Sequence, residues 1–260
     1  MVRPKHNQPE DFTTLEVVEA TGFDKRTVQL IRDRAAGPYE DVGVLTRART
    51  LGLHDEDTVA ELSMAAGVHL AGFPLMQALA IVRAYFAEHV DYRPAQLANV
   101  HRLEDPRRSR HDSTWLEAVW LTREARGGED SGLPMEGDVV LIVADREFVL
   151  DTRHAPRMQD FVQDGIDPKL GHPLCRVLDM KGGEAEIEPV WRGFEAGPSN
   201  DFREAYEVYH EALQRAVGVA RVNFSLAIRN GFDRVQDRRK RRGGPFFPST
   251  ADKHDEGATT

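Results

Sequence analysis

Lys25, Arg26, Gln29 and Arg32 fall within eight consecutive residues, at spacings that bring them to neighbouring positions on one face of a helix. Ammonium, guanidinium and amide groups so arranged are the types that grip phosphates and read base edges in duplex DNA. A second cationic group lies near the other end of the chain. Residues 229–242 hold Arg229, Arg234, Arg238, Arg239, Lys240, Arg241 and Arg242 against Asp233 and Asp237, seven minus two, a net charge of +5. At the end of a helix such a cluster complements the macrodipole. It serves either as a phosphate clamp or as a solvated helix end running into a polar tail, and the sequence leaves both open.

Other chemistries find less support. His172 and Cys175 stand three residues apart as possible metal ligands, but no second pair accompanies them among His101, His111, Asp112, Asp151, His154 and Asp160. Cys175 is the single cysteine, and its ordinary role is a small buried residue at the start of a strand. No phosphate-binding loop, nucleophile elbow or His-Glu-x-x-His helix occurs. Glu184, Glu186 and Glu188 share one face at strand period and read as solvated; Trp115, Trp120 and Trp191 read as core. The expectation is therefore a protein with no metal, no cofactor and no enzymatic activity.

The elements that must position these residues follow from the rest of the chain. Its 260 residues carry 34 basic and 43 acidic side chains, a net charge of -9, and mean hydropathy is -0.49. That length suits one large domain or two modest ones. No apolar run approaches the ~18 residues that a membrane span needs, and Met1–His6 lacks the apolar stretch of a secretory signal. A cytoplasmic location without membrane contact is expected. The acidic total argues against a protein that coats nucleic acid, yet position decides: residues 1–54 hold eight basic and eight acidic side chains.

Residues 1–11 read as a flexible arm, 12–92 as a helical domain, and 93–113 as a polar linker marked by Arg93-Pro94 and Asp105-Pro106. Residues 114–242 read as an α+β domain, with a disordered tail over 243–260. Within the α+β region, 138–143 pairs with 147–151 as a hairpin across Ala144-Asp145-Arg146, and 174–180 pairs with 184–191. From Asp201 to Arg242 apolar residues recur every three and four positions, which predicts one long C-terminal helix with a stripe for core or dimer contacts. The fold class expected is thus α+β: an N-terminal all-α, winged helix-turn-helix domain, a small antiparallel sheet, and the long helix.

Residues 13–32 are the most informative. Thr13 with Glu16 forms a capping-box pattern, Leu15, Val18 and Ala20 supply an apolar face, and Gly22 can close the helix in the left-handed conformation. Asp24 caps the next helix, whose Thr27, Val28 and Ile31 pack back on the first. Two short helices held this way leave the second one's outer face free for a major groove. In Phe12-Thr13, Glu16-Val17, Thr21-Gly22, Asp24 and Thr27-Val28 the chain resembles the MerR family of helix-turn-helix regulators. Asp57–Leu62 followed by Val68–Leu75, with Gly72-Phe73-Pro74-Leu75, is similar to that family's later helix pair, Pro74 suiting a first helical turn. The resemblance spans roughly residues 12–90. The chain departs from it at Gln29-Leu30-Ile31-Arg32, where the family has an aromatic pair, and in the wing.

What the resemblance implies is a bacterial, dimeric, sequence-specific regulator that binds double-stranded DNA through Thr13, Lys25, Arg26, Thr27, Gln29 and Arg32. Arg47 and Arg49 would touch phosphates from a reduced wing. Thr27 has packing as an equal alternative. The 114–242 domain would dimerise, or receive a protein partner or effector. Two other functions compete: an adaptor that uses the helix-turn-helix as scaffold, and a small-molecule sensor built on the β-rich half.

Overall fold

The computed structural model describes residues 11–34, 53–88, 97, 115, 118–119, 133–135, 137–152, 171–178, 187–190 and 200–243. The expected arm, most of the linker, the wing residues and the tail lie outside them. The described part is α+β, with six helices and seven strands. In chain order these are β1 (Phe12–Thr13), α1 (Thr14–Thr21), α2 (Lys25–Arg34), β2 (Leu53–His54), α3 (Glu56–Leu70), α4 (Leu75–Glu88), β3 (Val140–Ala144), β4 (Phe148–Asp151), β5 (His172–Val177), β6 (Ile187–Pro189), α5 (Asn200–Arg215), β7 (Val219–Asn223) and α6 (Phe224–Arg242).

β1 and β2 form a short antiparallel pair, Phe12 opposite His54. The other five strands make one antiparallel sheet in the order β6-β5-β4-β3-β7. The hairpin expected around residue 145 is present: Ala144 pairs with Phe148 across three residues, with Asp145 and Arg146 at positive φ of 49° and 59° and Glu147 N donating to Ala144 O at 3.0 Å. The β5–β6 pair is also as expected, Cys175 is buried in β5, and Glu188 is exposed.

The long C-terminal helix is not there as expected. It is two helices with a strand between them: after Arg215 the chain turns at Gly218 and runs back along β3 as β7 before α6 begins. The Asp145 carboxylate accepts the N–H groups of Val217 (3.2 Å) and Gly218 (2.8 Å), which fixes where the strand starts. Asn223 then caps α6 by accepting from Leu226 N at 2.8 Å.

The sheet separates two apolar layers. On one face α5 lays Tyr209 and Leu213 over Ile142, Leu150 and Phe148. On the other, Leu141, Val143, Val149, Cys175 and Val222 join a cluster that runs through α1, α2, α3, α4 and α6. Residues on both sides of the 93–113 stretch therefore share one core. α3 is buried on nearly every side, as the central helix of such a layer must be. Asp55 caps it, accepting Thr58 N at 2.8 Å. Trp115 donates from its backbone to Glu56 and from its indole to Asp57, at 2.8 and 2.6 Å. Gly72 turns the chain with φ +99°, Phe73 is buried, and Pro74 stands just before α4, one position earlier than a first-turn proline.

α6 crosses α3 and α1 at close range. A Cβ at Gly67 would meet Val222 Cγ1 of β7 at 3.0 Å and Ala227 Cβ of α6 at 3.7 Å, and one at Gly231 would collide with Ser63 Oγ. The apolar stripe Phe224, Ile228, Phe232 and Val235 is consumed in this core, so it is no dimer seam. Phe232 meets Phe12 edge to face, their ring centroids 5.9 Å apart.

Candidate nucleic-acid interface

The α1–turn–α2 unit is built by local chemistry. Thr13 accepts Glu16 N at 3.3 Å, and Glu16 Oε2 accepts Thr13 N at 2.7 Å, completing the capping box. α1 ends at Gly22 with φ +74°, the Gly22 N–H bonded to Val18 O at 2.9 Å. Asp24 accepts Thr27 N at 2.8 Å and the Thr27 hydroxyl at 2.9 Å, capping α2. Those two donors hold the Asp24 carboxyl below the usual carboxylate range.

The packing face of α1 differs in part from the sequence reading. Val17, Ala20, Glu16 and Thr21 are the buried set, while Leu15 is 45% exposed. The chain made Glu16 a core residue because a cation reaches it from α6. Arg239 Nε donates to Glu16 Oε1 at 2.7 Å, Arg239 Nη2 donates to Asp11 O at 2.8 Å, and the guanidinium sits 4.7 Å from the centre of the Phe12 ring. Burial alone would push the Glu16 carboxyl up; the Arg239 side chain and the Thr13 N–H and hydroxyl outweigh it and hold it below its ordinary value.

α2 divides its described residues between core and surface. Val28 and Ile31 are buried against the core, whereas Lys25 and Arg26 are exposed in its first turn and Gln29 is half-buried one turn on. Neither Lys25 nor Arg26 has an ion-pair partner among the described residues. Thr13 and Thr27 spend their single hydroxyl donors on Glu16 and Asp24, so both are capping residues. Arg32 lies within α2, its side chain outside the described residues, as are Arg47 and Arg49. Behind α2 is a cavity of about 10 Å³, room for one water, lined by Val28, Ile31, His54, Thr58, Glu61, Leu62 and Arg83. Burial there pushes the Glu61 carboxyl up, although Arg83 Nε lies 3.1 Å away.

The basic cluster of α6 divides: Arg229 and Arg239 are buried and Arg238 is half-buried, while Arg234, Lys240, Arg241 and Arg242 are exposed. Arg229 makes a bidentate bond to Asp138, at 2.8 and 2.9 Å, and a further one to Leu133 O at 3.1 Å. Arg234 donates to Ala20 O at 3.2 Å, capping the last turn of α1. Arg238 and Arg241 both reach Glu19, at 3.3 and 2.9 Å. Sequence reasoning missed these roles; the signal available was an acidic residue at each distant position, Glu16, Glu19 and Asp138, with nothing to pair it to a given arginine. Among the described residues no three His, Cys, Asp or Glu side chains gather as a metal site, and no helix is long and apolar enough to cross a membrane.

Comparison with known protein families, characterised proteins and solved structures finds no match.

Proposed function

We propose that the chain is a sequence-specific regulator that binds double-stranded DNA through a MerR-like helix-turn-helix, with α2 in the major groove. The observation that carries this reading is the division of α2: Val28 and Ile31 hold it on the core while Lys25, Arg26 and Gln29 stay free on its outer side. Lys25 and Arg26 lie in the first turn, where the partial positive charge of the helix end adds to theirs. In this reading Arg26 and Gln29 read base edges, Lys25 and Arg32 meet phosphates, and Arg47 and Arg49 touch phosphates from a reduced wing. The regulator acts in the cytoplasm as a dimer on a two-fold operator, without metal or cofactor.

The test is selection of bound duplexes from a random pool by the full chain at moderate salt. Enrichment of a palindrome, lost on Arg26→Ala, supports the reading; no enrichment by folded protein overturns it. A second reading, a protein-interaction adaptor, is favoured by one observation. Leu15 and Leu30 are 45% and 43% exposed on the two helices of the motif, an unusual expense for a surface that meets only DNA. Loss of function in Leu15→Ser and Leu30→Ser, with Arg26→Ala harmless, would favour the adaptor.

A further inference from the structure

The sheet has two unlike edges. β6 is three residues long and ends on Pro189, features that blunt an edge against further pairing. β7 is five residues long and has no proline. Asp145 N donates to Gly218 O at 2.8 Å and Phe224 N donates to Val139 O at 2.9 Å, so residues 218, 220, 222 and 224 turn their backbone groups toward β3. The N–H and C=O of Val219 and Arg221 consequently point away from the sheet, and no described residue meets them. Val217, leading into this edge, is 98% exposed and Val219 is 48% exposed.

We propose that β7 pairs antiparallel with β7 of a second copy of this chain, joining the two sheets into one of ten strands. Three registers align the outward-pointing backbone groups. One sets Arg221 against Arg221, a repulsive cross-strand pair. A second sets Val219 against Val219 and brings Val217 opposite Arg221, but the Val217 N–H is already spent on the Asp145 carboxylate. The third places the two-fold axis at Ala220 and sets Val219 opposite the other copy's Arg221. There the guanidiniums separate, and each arginine's alkyl stem covers the other copy's valine. The strand holds one charged residue, so this offset makes its edge self-complementary, as an isologous contact requires. Paired strands this short bury less surface than the ~1,200 Å² of a stable interface, so the dimer assembles in the micromolar range. The pairing stands whether or not α2 reads DNA, because it is measured without DNA.

Light scattering of the full chain at high micromolar concentration should give twice the 29.2 kDa monomer mass. Val219→Pro should give the monomer with an unchanged melting temperature, since the N–H it removes points outward. Val219→Lys should also give the monomer by facing the other copy's Arg221, whereas Val219→Glu should keep or strengthen the dimer. Ala220→Cys should cross-link into a covalent dimer on mild oxidation, while the wild type, whose cysteine is buried, should not. A monomeric wild type overturns the proposal, as does a dimer indifferent to Val219→Lys that Ala220→Cys fails to cross-link.

Discussion

α2 exposes Lys25 and Arg26 in its first turn with no ion-pair partner among the described residues. α6 is the more basic helix by sequence, yet places Arg229 and Arg239 among the largest fully buried side chains. The first helix buries Val28 and Ile31 in the core and leaves Lys25 and Arg26 exposed. The second commits apolar residues and cations alike inward, burying Arg229 and Arg239 on the distant carboxylates of Asp138 and Glu16. The difference teaches that cation density along a chain is a weak guide to polyanion binding. What separates a reading face from a structural strut is whether the guanidinium already has a desolvated carboxylate or carbonyl to donate to.

The comparison breaks most visibly at Arg229. Removing one partner of a buried pair strands the other charge, at a cost of about 3–5 kcal/mol, and in a chain of this size each kcal/mol shifts the melting temperature by about 2–4 °C. Arg229→Ala should therefore melt roughly 10 °C or more below wild type by calorimetry, because the buried Asp138 carboxylate would lose its cation while the neutral donors Met135 N and Asn223 Nδ2 remain. An unchanged melting temperature would mean that α6 is an accessory helix after all.

Arg239→Ala should fall in the same range or somewhat below it, since Thr13 still bonds Glu16. It should also change the response to acid. Glu16 is held below its ordinary value in the folded chain, so its contribution is complete above the unfolded carboxyl pKa and is lost as pH falls through the lower folded one. Thermal melts from neutral pH downward should show wild type losing more of its stability in that acidic window than Arg239→Ala does.

The crossing of α6 over α3 sharpens the picture by sterics alone. Gly231→Ala drives a methyl into Ser63 Oγ, and relief requires Ser63 or the helix to move. Overpacking of this kind costs about 1–3 kcal/mol, and Gly231→Ala with Ser63→Gly should recover most of it. Equal losses in the single and double variants would place the strain elsewhere.

How legible each helix was in the sequence follows from the reach of its contacts. Thr13, Glu16, Gly22, Asp24 and Thr27 interact within a few residues, so α1, the turn and α2 could be read from spacing, as could the hairpin at Asp145-Arg146. β7 could not. Val217, Ala220 and Phe224 fit a helical stripe as well as residues 202–213 do, and only Gly218 hints at the break. The strand exists because β3, about eighty residues earlier, offers it an edge. For the same reason the roles of Arg229 and Arg239 were hidden: their carboxylates lie 91 and 223 residues away. Glu16 illustrates both cases, legible as a cap and illegible as a core ion pair.

The smallest effect on stability should come from α2. Arg26 is exposed and its side chain makes no ion pair among the described residues, so Arg26→Ala should stay within about 0.5 kcal/mol of wild type in a denaturant melt. If α2 is the reading face, the same change should weaken specific DNA binding by about 1–3 kcal/mol, roughly ten- to a hundredfold. Arg241→Ala is the matched control from α6, an exposed cation whose pair with Glu19 should be worth only tenths of a kcal/mol. Both variants remove one surface arginine and leave the fold intact. Binding lost at Arg26 and kept at Arg241 would assign recognition to the place of the charge; equal loss at both would show that the protein responds only to its total.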